Sequence, residues 1–303
     1  QIMLELKNEK IAIPVVLFAG LIWSLGPLVV RHMDQPELVP WQYIFSRGLT
    51  IFFLINIYLY LDEGKKFFKN YLNIGRSGII GGFGLGIAMI TFIYSITNTT
   101  AAITLLCLAA MPFFTALLGF LFLKERITLN VWIAIFIATA GIIIIALGNT
   151  EKASLTGLVY GMTSSIGFSI FSVSLRWRKE TPKFTTVAVA GLFCATIATF
   201  FIIMNKTSFL STSYNGAMFS LHGTLVTLGL ILYSIGSKAI PAAELTLLSL
   251  TEVIGGIFWV WLPLFGINEV PSNNTIIGGF FIFMSIIYYS LTIKSNRRFI
   301  ALN

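Results

Sequence analysis

Ten apolar runs of helical length, divided by short polar or proline-bearing breaks, leave this chain few folds to choose from. They cover residues 12–30, 41–61, 77–95, 101–122, 129–147, 154–175, 185–204, 217–236, 241–264 and 275–293. A helix needs ~20 apolar residues to cross the hydrocarbon core of a bilayer. In lipid each such segment must satisfy its own backbone polar groups, which a helix does. The pattern predicts an all-α membrane protein of ten transmembrane helices. Its narrowest division is 96–100, between the third and fourth runs. The charge supply agrees, because only 11% of the 303 residues are Asp, Glu, Lys or Arg. A soluble domain carries ~25%, so this chain could not clothe a water-exposed surface. The first run is helix-length and lacks a cleavage-type flank, so no removable signal is expected.

Basic residues collect in cytoplasmic loops. With a cytoplasmic N-terminus, sixteen of the twenty Lys and Arg fall on that side, among them Lys7, Lys65, Lys66, Lys69, Arg126, Arg176 and Lys179. Arg31, Lys152 and Lys206 fall on the other, and Arg47 lies within the second run. Both termini are therefore expected to be cytoplasmic. The net charge of +8 then belongs to loops and calls for no nucleic acid. Cys107 and Cys194 lie inside apolar runs, and there are only two histidines. No disulfide framework, metal centre or cofactor is expected.

The two halves of the chain resemble each other. Gly20-Leu-Ile-Trp-Ser-Leu-Gly26 matches Gly161-Met-Thr-Ser-Ser-Ile-Gly167, and Tyr94-Ser-Ile96 matches Tyr233-Ser-Ile235. Ala101-Ala102 answers Ala242-Ala243, Leu105-Leu-Cys-Leu108 answers Leu247-Leu-Ser-Leu250, and Glu125 falls opposite Glu269. These matches keep one order at nearly one offset. They predict two five-helix repeats, 1–150 and 151–303. Five is odd, so the second repeat enters the membrane from the opposite face. Inverted repeats of this kind recur in secondary transporters, around a site near the midplane.

This pattern resembles the drug/metabolite transporter superfamily, in its EamA-type branch. The resemblance rests on the small-residue first run with Trp23, the Tyr94-Ser-(x)5-Ala101-Ala102 passage and the ending Leu123-Lys-Glu-Arg-Ile-Thr128. Leu247-Leu-Ser-Leu-Thr-Glu-Val253 is similar to the family's LLxxxEPV stretch, with Val253 where proline is usual. The resemblance implies a ten-helix carrier that exports amino acids or other metabolites, although some members import. A bacterial plasma (inner) membrane location is expected with it.

Glu252 is the sharpest candidate for function, since an ionisable group inside a span is costly unless it faces a cavity or partner. It could bind a substrate ammonium, carry a proton, or make a structural bond to a neighbouring helix. Ser249 and Trp259 share its face of the helix. Trp23, Tyr94 and Tyr233 lie inside their spans, where a polar ring atom needs a partner that a solvated cavity would supply; aromatic faces also suit a cation. Ser165 joins them on a ladder of small residues whose first role is helix packing. Arg47 could meet a substrate carboxylate or snorkel to the interface. His222 and Glu244 are expected at the interfaces, and Pro112 should kink the fourth helix.

The expected function is secondary active transport, by alternating access, of a small zwitterionic or cationic metabolite, an amino acid or amine. Export is the expected direction, driven by protons or by exchange. The alternative is a carrier of sugar phosphates, nucleotide sugars or organic anions, which would want more than one mid-span cation. No paired acids, His cluster or Ser/His pair converges, so an enzyme is not expected, and a channel less so. The partners implied are the solute, membrane lipid and protons, with the chain as a monomer or homodimer.

Overall fold

The computed structural model describes residues 9–125, 127–148, 155–178 and 180–300. Lys7, Arg126, Lys152 and Lys179, used above for orientation, lie outside them. All regular structure among the described residues is helical. The first half contributes α1 (Glu9–Trp23), α2 (Gly26–Arg31), α3 (Pro40–Glu63), the short α4 (Phe68–Leu72), α5 (Gly75–Asn98), α6 (Ala101–Leu108), α7 (Met111–Leu118) and α8 (Leu129–Gly148). The second contributes α9 (Leu155–Trp177), α10 (Lys183–Met204), α11 (Ser213–Gly236), α12 (Ala242–Leu248), α13 (Thr251–Trp261) and α14 (Asn273–Ile300). Among the described residues, eight helical stretches are long and apolar enough to cross a membrane. Shorter apolar stretches, Leu129–Ile144 in α8 and Ile276–Tyr289 in α14, occupy the other two expected positions. The narrow division is real: α5 stops at Asn98, and the Thr100 side chain caps α6 by accepting from the Ile103 N–H at 3.3 Å.

Three expected spans are broken helices. The first parts at Ser24-Leu25, the fourth at Ala109-Ala110 and the ninth at Ser249-Leu250. Pro27 and Pro112 sit in the first turns of α2 and α7, where a missing N–H costs nothing. The kink expected at Pro112 is therefore a break just upstream of it. The ninth span breaks without a proline. There the Ser249 hydroxyl donates to the Thr246 carbonyl at 2.8 Å, and the Thr251 hydroxyl lies 3.2 Å from both the Leu248 and Leu17 carbonyls. Such side chains offer the backbone alternatives to helical bonding.

The helices pack in pairs drawn from both halves. α5 lies along α9, α3 along α10, α8 along α14 and α1 along α11. Among the described residues, three of these contacts bring backbone against backbone. Where α8 meets α14, a Cβ on Gly141 would stand 2.5 Å from the Gly278 carbonyl oxygen. A Cβ on Gly84 would stand 2.9 Å from the Gly167 carbonyl oxygen, and one on Gly48 would stand 2.7 Å from that of Gly191. Phe18, Phe53, Phe120, Phe136 and Phe200 face outward, as lipid-facing side chains do.

Two guanidinium clamps tie helix ends. Arg31, closing α2, meets Glu269 with Nε–Oε1 at 2.5 Å and donates to the Ile96 and Thr99 carbonyls at the end of α5. Arg176, near the end of α9, meets Glu125 at 2.6 Å and donates to the Ser237 and Ile240 carbonyls beyond α11. Glu125 also accepts from the Ala242 N–H that opens α12, at 3.2 Å.

Candidate functional site

A cavity of about 70 Å³ lies between the halves, where the broken helices converge. Trp23 comes from the end of α1, Leu108 and Met111 flank the α6–α7 break, and Glu252 comes from the first turn of α13. α3 adds Arg47, α9 adds Ser164 and Phe168, and α11 adds His222, Val226 and Leu230 at helical spacing. One face of α5 supplies Leu85, Ala88, Met89 and Phe92, at i, i+3, i+4 and i+7.

Arg47 does not snorkel. It is 5% exposed, because α3 begins at Pro40 and carries residue 47 two turns into the bundle. Its Cζ lies 5.7 Å from the centre of the Phe92 ring, and Nη1 reaches the Met89 carbonyl only at 3.5 Å. Its buried Nε has no hydrogen-bond partner. Glu252 lines the same cavity, yet no ion pair joins it to Arg47 among the described residues. Its backbone N–H donates to the Ser249 carbonyl at 2.9 Å. A first-turn carboxylate is favoured by the helix dipole.

His222 is not interfacial. It is 2% exposed and hydrogen-bonded through Nδ1 to the Tyr43 hydroxyl, while Tyr43 stacks on Phe219. Trp23 donates from Nε1 to the Val226 carbonyl at 3.2 Å, and its ring packs against Phe168 and Tyr233. Of the residues singled out in the sequence, Trp23, Arg47 and Glu252 are thus brought together.

The others lie outside the lining. Tyr233 is fully buried, its hydroxyl 2.6 Å from that of Ser172. Tyr94 packs between Trp41 and Tyr160. Trp259 donates to the Ser24 hydroxyl at 2.9 Å, tying α13 to the break in the first span. Ser249 bonds its own helix, and Ser165 is buried one residue from Ser164, which does line the cavity. Glu244 is half-buried and accepts from the Tyr289 hydroxyl rather than standing free at an interface. Met89, Phe92, Met111 and Phe168 were missed by sequence reasoning. In a chain with 27 Phe and 8 Met, helical spacing alone does not separate a cavity face from a packing face.

Chemically, the site holds one basic and one acidic side chain, with no ion pair between them among the described residues, on otherwise mostly apolar walls. Charges withdrawn from water are costly unless paired. No group of three His, Cys, Asp or Glu among the described residues is arranged to hold a metal ion.

Residues 10–147 match the model of the EamA-like transporter family. Two proteins from two strains of Helicobacter pylori, each named "Uncharacterized transporter", are 23% identical to this chain over 256 residues. Those alignments cover 82% of this chain and 84% of each relative. A solved crystal structure, 17% identical, superposes with a TM-score of 0.72 over 95% of this chain and 99% of its own, a likeness of fold. Many-helix, apolar and matched to that family over residues 10–147, the chain is a multi-pass membrane transporter similar to the EamA-type branch of the drug/metabolite transporter superfamily.

Proposed function

We propose that the chain is a secondary transporter of a small zwitterionic metabolite, an amino acid or a close relative, bound in the central cavity. The observation that carries this reading is that Arg47, its Nε without a hydrogen-bond partner, and Glu252 line one mostly apolar chamber. Arg47 would receive the carboxylate as a two-pronged donor, and Glu252 the ammonium. Trp23, Phe92 and Phe168 would enclose the rest of the solute. An amine would leave Arg47 unanswered, and an organic anion would be repelled by Glu252.

Alternating access between two inverted repeats, residues 1–150 and 151–303, is the mechanism we favour. It is supported by the helix pairs, which map onto one another when the halves are exchanged: α5 on α9 becomes α11 on α1. The clamps correspond in the same way. Arg31 answers Arg176, Glu269 answers Glu125, and the Ile96 and Thr99 carbonyls answer those of Ser237 and Ile240.

Counterflow in proteoliposomes tests the reading, with labelled amino acids, amines and organic anions beside Glu252→Gln and Arg47→Gln. Saturable exchange of an amino acid that either substitution abolishes is the expected result. Exchange confined to anions and indifferent to Glu252→Gln would sink it.

A further inference from the structure

A second cavity, of about 270 Å³, lies where the C-terminal turns of α3 and α11 meet the first turn of α10. Two of the hydroxyls lining it, Thr185 and Ser234, are 1% and 0% exposed, and neither oxygen has a hydrogen-bond partner. Buried hydroxyls are nearly always bonded, so two orphans on one cavity mark a place for a polar ligand. Lys183 and Lys238 line the same space, and the Lys183 Nζ donates to the Ser237 hydroxyl at 2.8 Å. The 22-residue α10 begins here, and its N-cap, Pro182, gives no side-chain cap. Its first-turn N–H groups and dipole therefore add positive potential at this point.

The lining also carries two carboxylates, Glu63 and Glu180. Glu63 accepts from the Asn70 amide at 2.8 Å, and the Glu180 side chain is 77% exposed, 4.0 Å from Arg178. Neither forms an ion pair with Lys183 among the described residues.

We propose that this cavity is a second binding site, separate from the central one, for a phosphate group. The donors come from more than one helix, Lys183 and Thr185 from α10 and Ser234 from α11. A tetrahedral group with several acceptor oxygens can use them together, which a planar carboxylate cannot. Lys65, Lys66 and Lys69 follow the end of α3, and basic residues at a bundle end stand at the level of phospholipid headgroups. Tyr58 and Phe184, with ring centres 5.2 Å apart, give the cavity an apolar wall. The phosphate can belong to a phosphatidylglycerol headgroup or come from solution as inorganic phosphate.

Native mass spectrometry of protein extracted from vesicles of phosphatidylcholine and phosphatidylglycerol tests the lipid source. Thermal unfolding of delipidated protein, titrated with sodium phosphate against sodium chloride of equal ionic strength, tests the soluble one. Both are run on wild type, on Lys183→Gln, and on Thr185→Val combined with Ser234→Ala. The last pair is nearly isosteric, and its unfolding midpoint without either probe checks that it folds. One phosphatidylglycerol held per chain, with affinity reduced about tenfold or more in the variants, supports the site and assigns it to lipid. A saturable rise in unfolding temperature with phosphate, lost in the variants, supports it and assigns it to the soluble ion. Retention and phosphate response equal in wild type and both variants would overturn it.

Discussion

Arg47 and Glu252 line one cavity, and no ion pair joins them among the described residues. If one solute bridges them, their contributions cannot be independent. Removing either partner of a buried charge pair costs about 2–5 kcal/mol, more than ~30-fold in affinity. Arg47→Gln and Glu252→Gln should each show that loss in equilibrium binding of the transported amino acid. The double variant should lose far less than the sum of the two, and full additivity would mean that they do not hold the same molecule. A subtler expectation concerns Phe92, whose ring faces the guanidinium. Phe92→Leu should weaken binding by about 0.5–2 kcal/mol without changing which solutes compete, as inhibition curves would report. Glu252 and Trp23 were legible in the sequence because a carboxylate or an indole deep in an apolar run needs a reason. Tyr94, Tyr233 and Trp259 met the same criterion and found their reasons in packing and helix-to-helix bonds instead. A one-dimensional pattern tells that a polar group has a partner, not which kind.

The long helices were legible to within a few residues, because burial in lipid demands length and continuous apolarity. The breaks were legible only in part. Pro112 announced the one in the fourth span, whereas nothing comparable stands at Ser249-Leu250, where hydroxyl–carbonyl bonds and tertiary contacts decide. The ninth-span break gives a sharp expectation for Val253, which lies in the first turn after it. Proline inside a helix costs ~3 kcal/mol or more. At this position it forfeits one bond, from the Val253 N–H to the Leu250 carbonyl at 3.0 Å, worth about 1 kcal/mol. Val253→Pro should therefore lower the unfolding midpoint only slightly and leave counterflow intact. A collapse of folded yield would show that this turn is continuous helix in the working protein. The opposite behaviour is expected at Gly48, where any Cβ meets the Gly191 backbone. Gly48→Leu should destabilise by about 1–3 kcal/mol or more, visible as a lower unfolding midpoint.

In a chain that crosses back and forth, odd and even spans end on opposite sides. Arg31 follows the first span and Glu269 the ninth, while Arg176 follows the sixth and Glu125 the fourth. The two clamps thus close opposite ends of the bundle, each joining one half to the other. Their side chains are only partly buried, between 22% and 36% exposed, so the ion pairs can part and re-form without stranding a desolvated charge. They differ in one respect: Glu125 also holds the Ala242 N–H. If each clamp favours closure at its own end, breaking one should shift the molecule toward opening there. Hydrogen bonds to charged groups contribute about 1.5–3 kcal/mol, enough to move a two-state population ratio more than ~tenfold. A cysteine replacing Ser164 on the cavity wall reports this, with Cys107 and Cys194 changed to Ala and a membrane-impermeant maleimide added to one face of sealed vesicles. Arg31→Gln should raise labelling from one face and lower it from the other, and Arg176→Gln should do the reverse. Combining Arg31→Glu with Glu269→Arg should restore the starting pattern. Both substitutions moving labelling in the same direction would mean that the clamps hold the bundle together and take no part in choosing the side to which it opens.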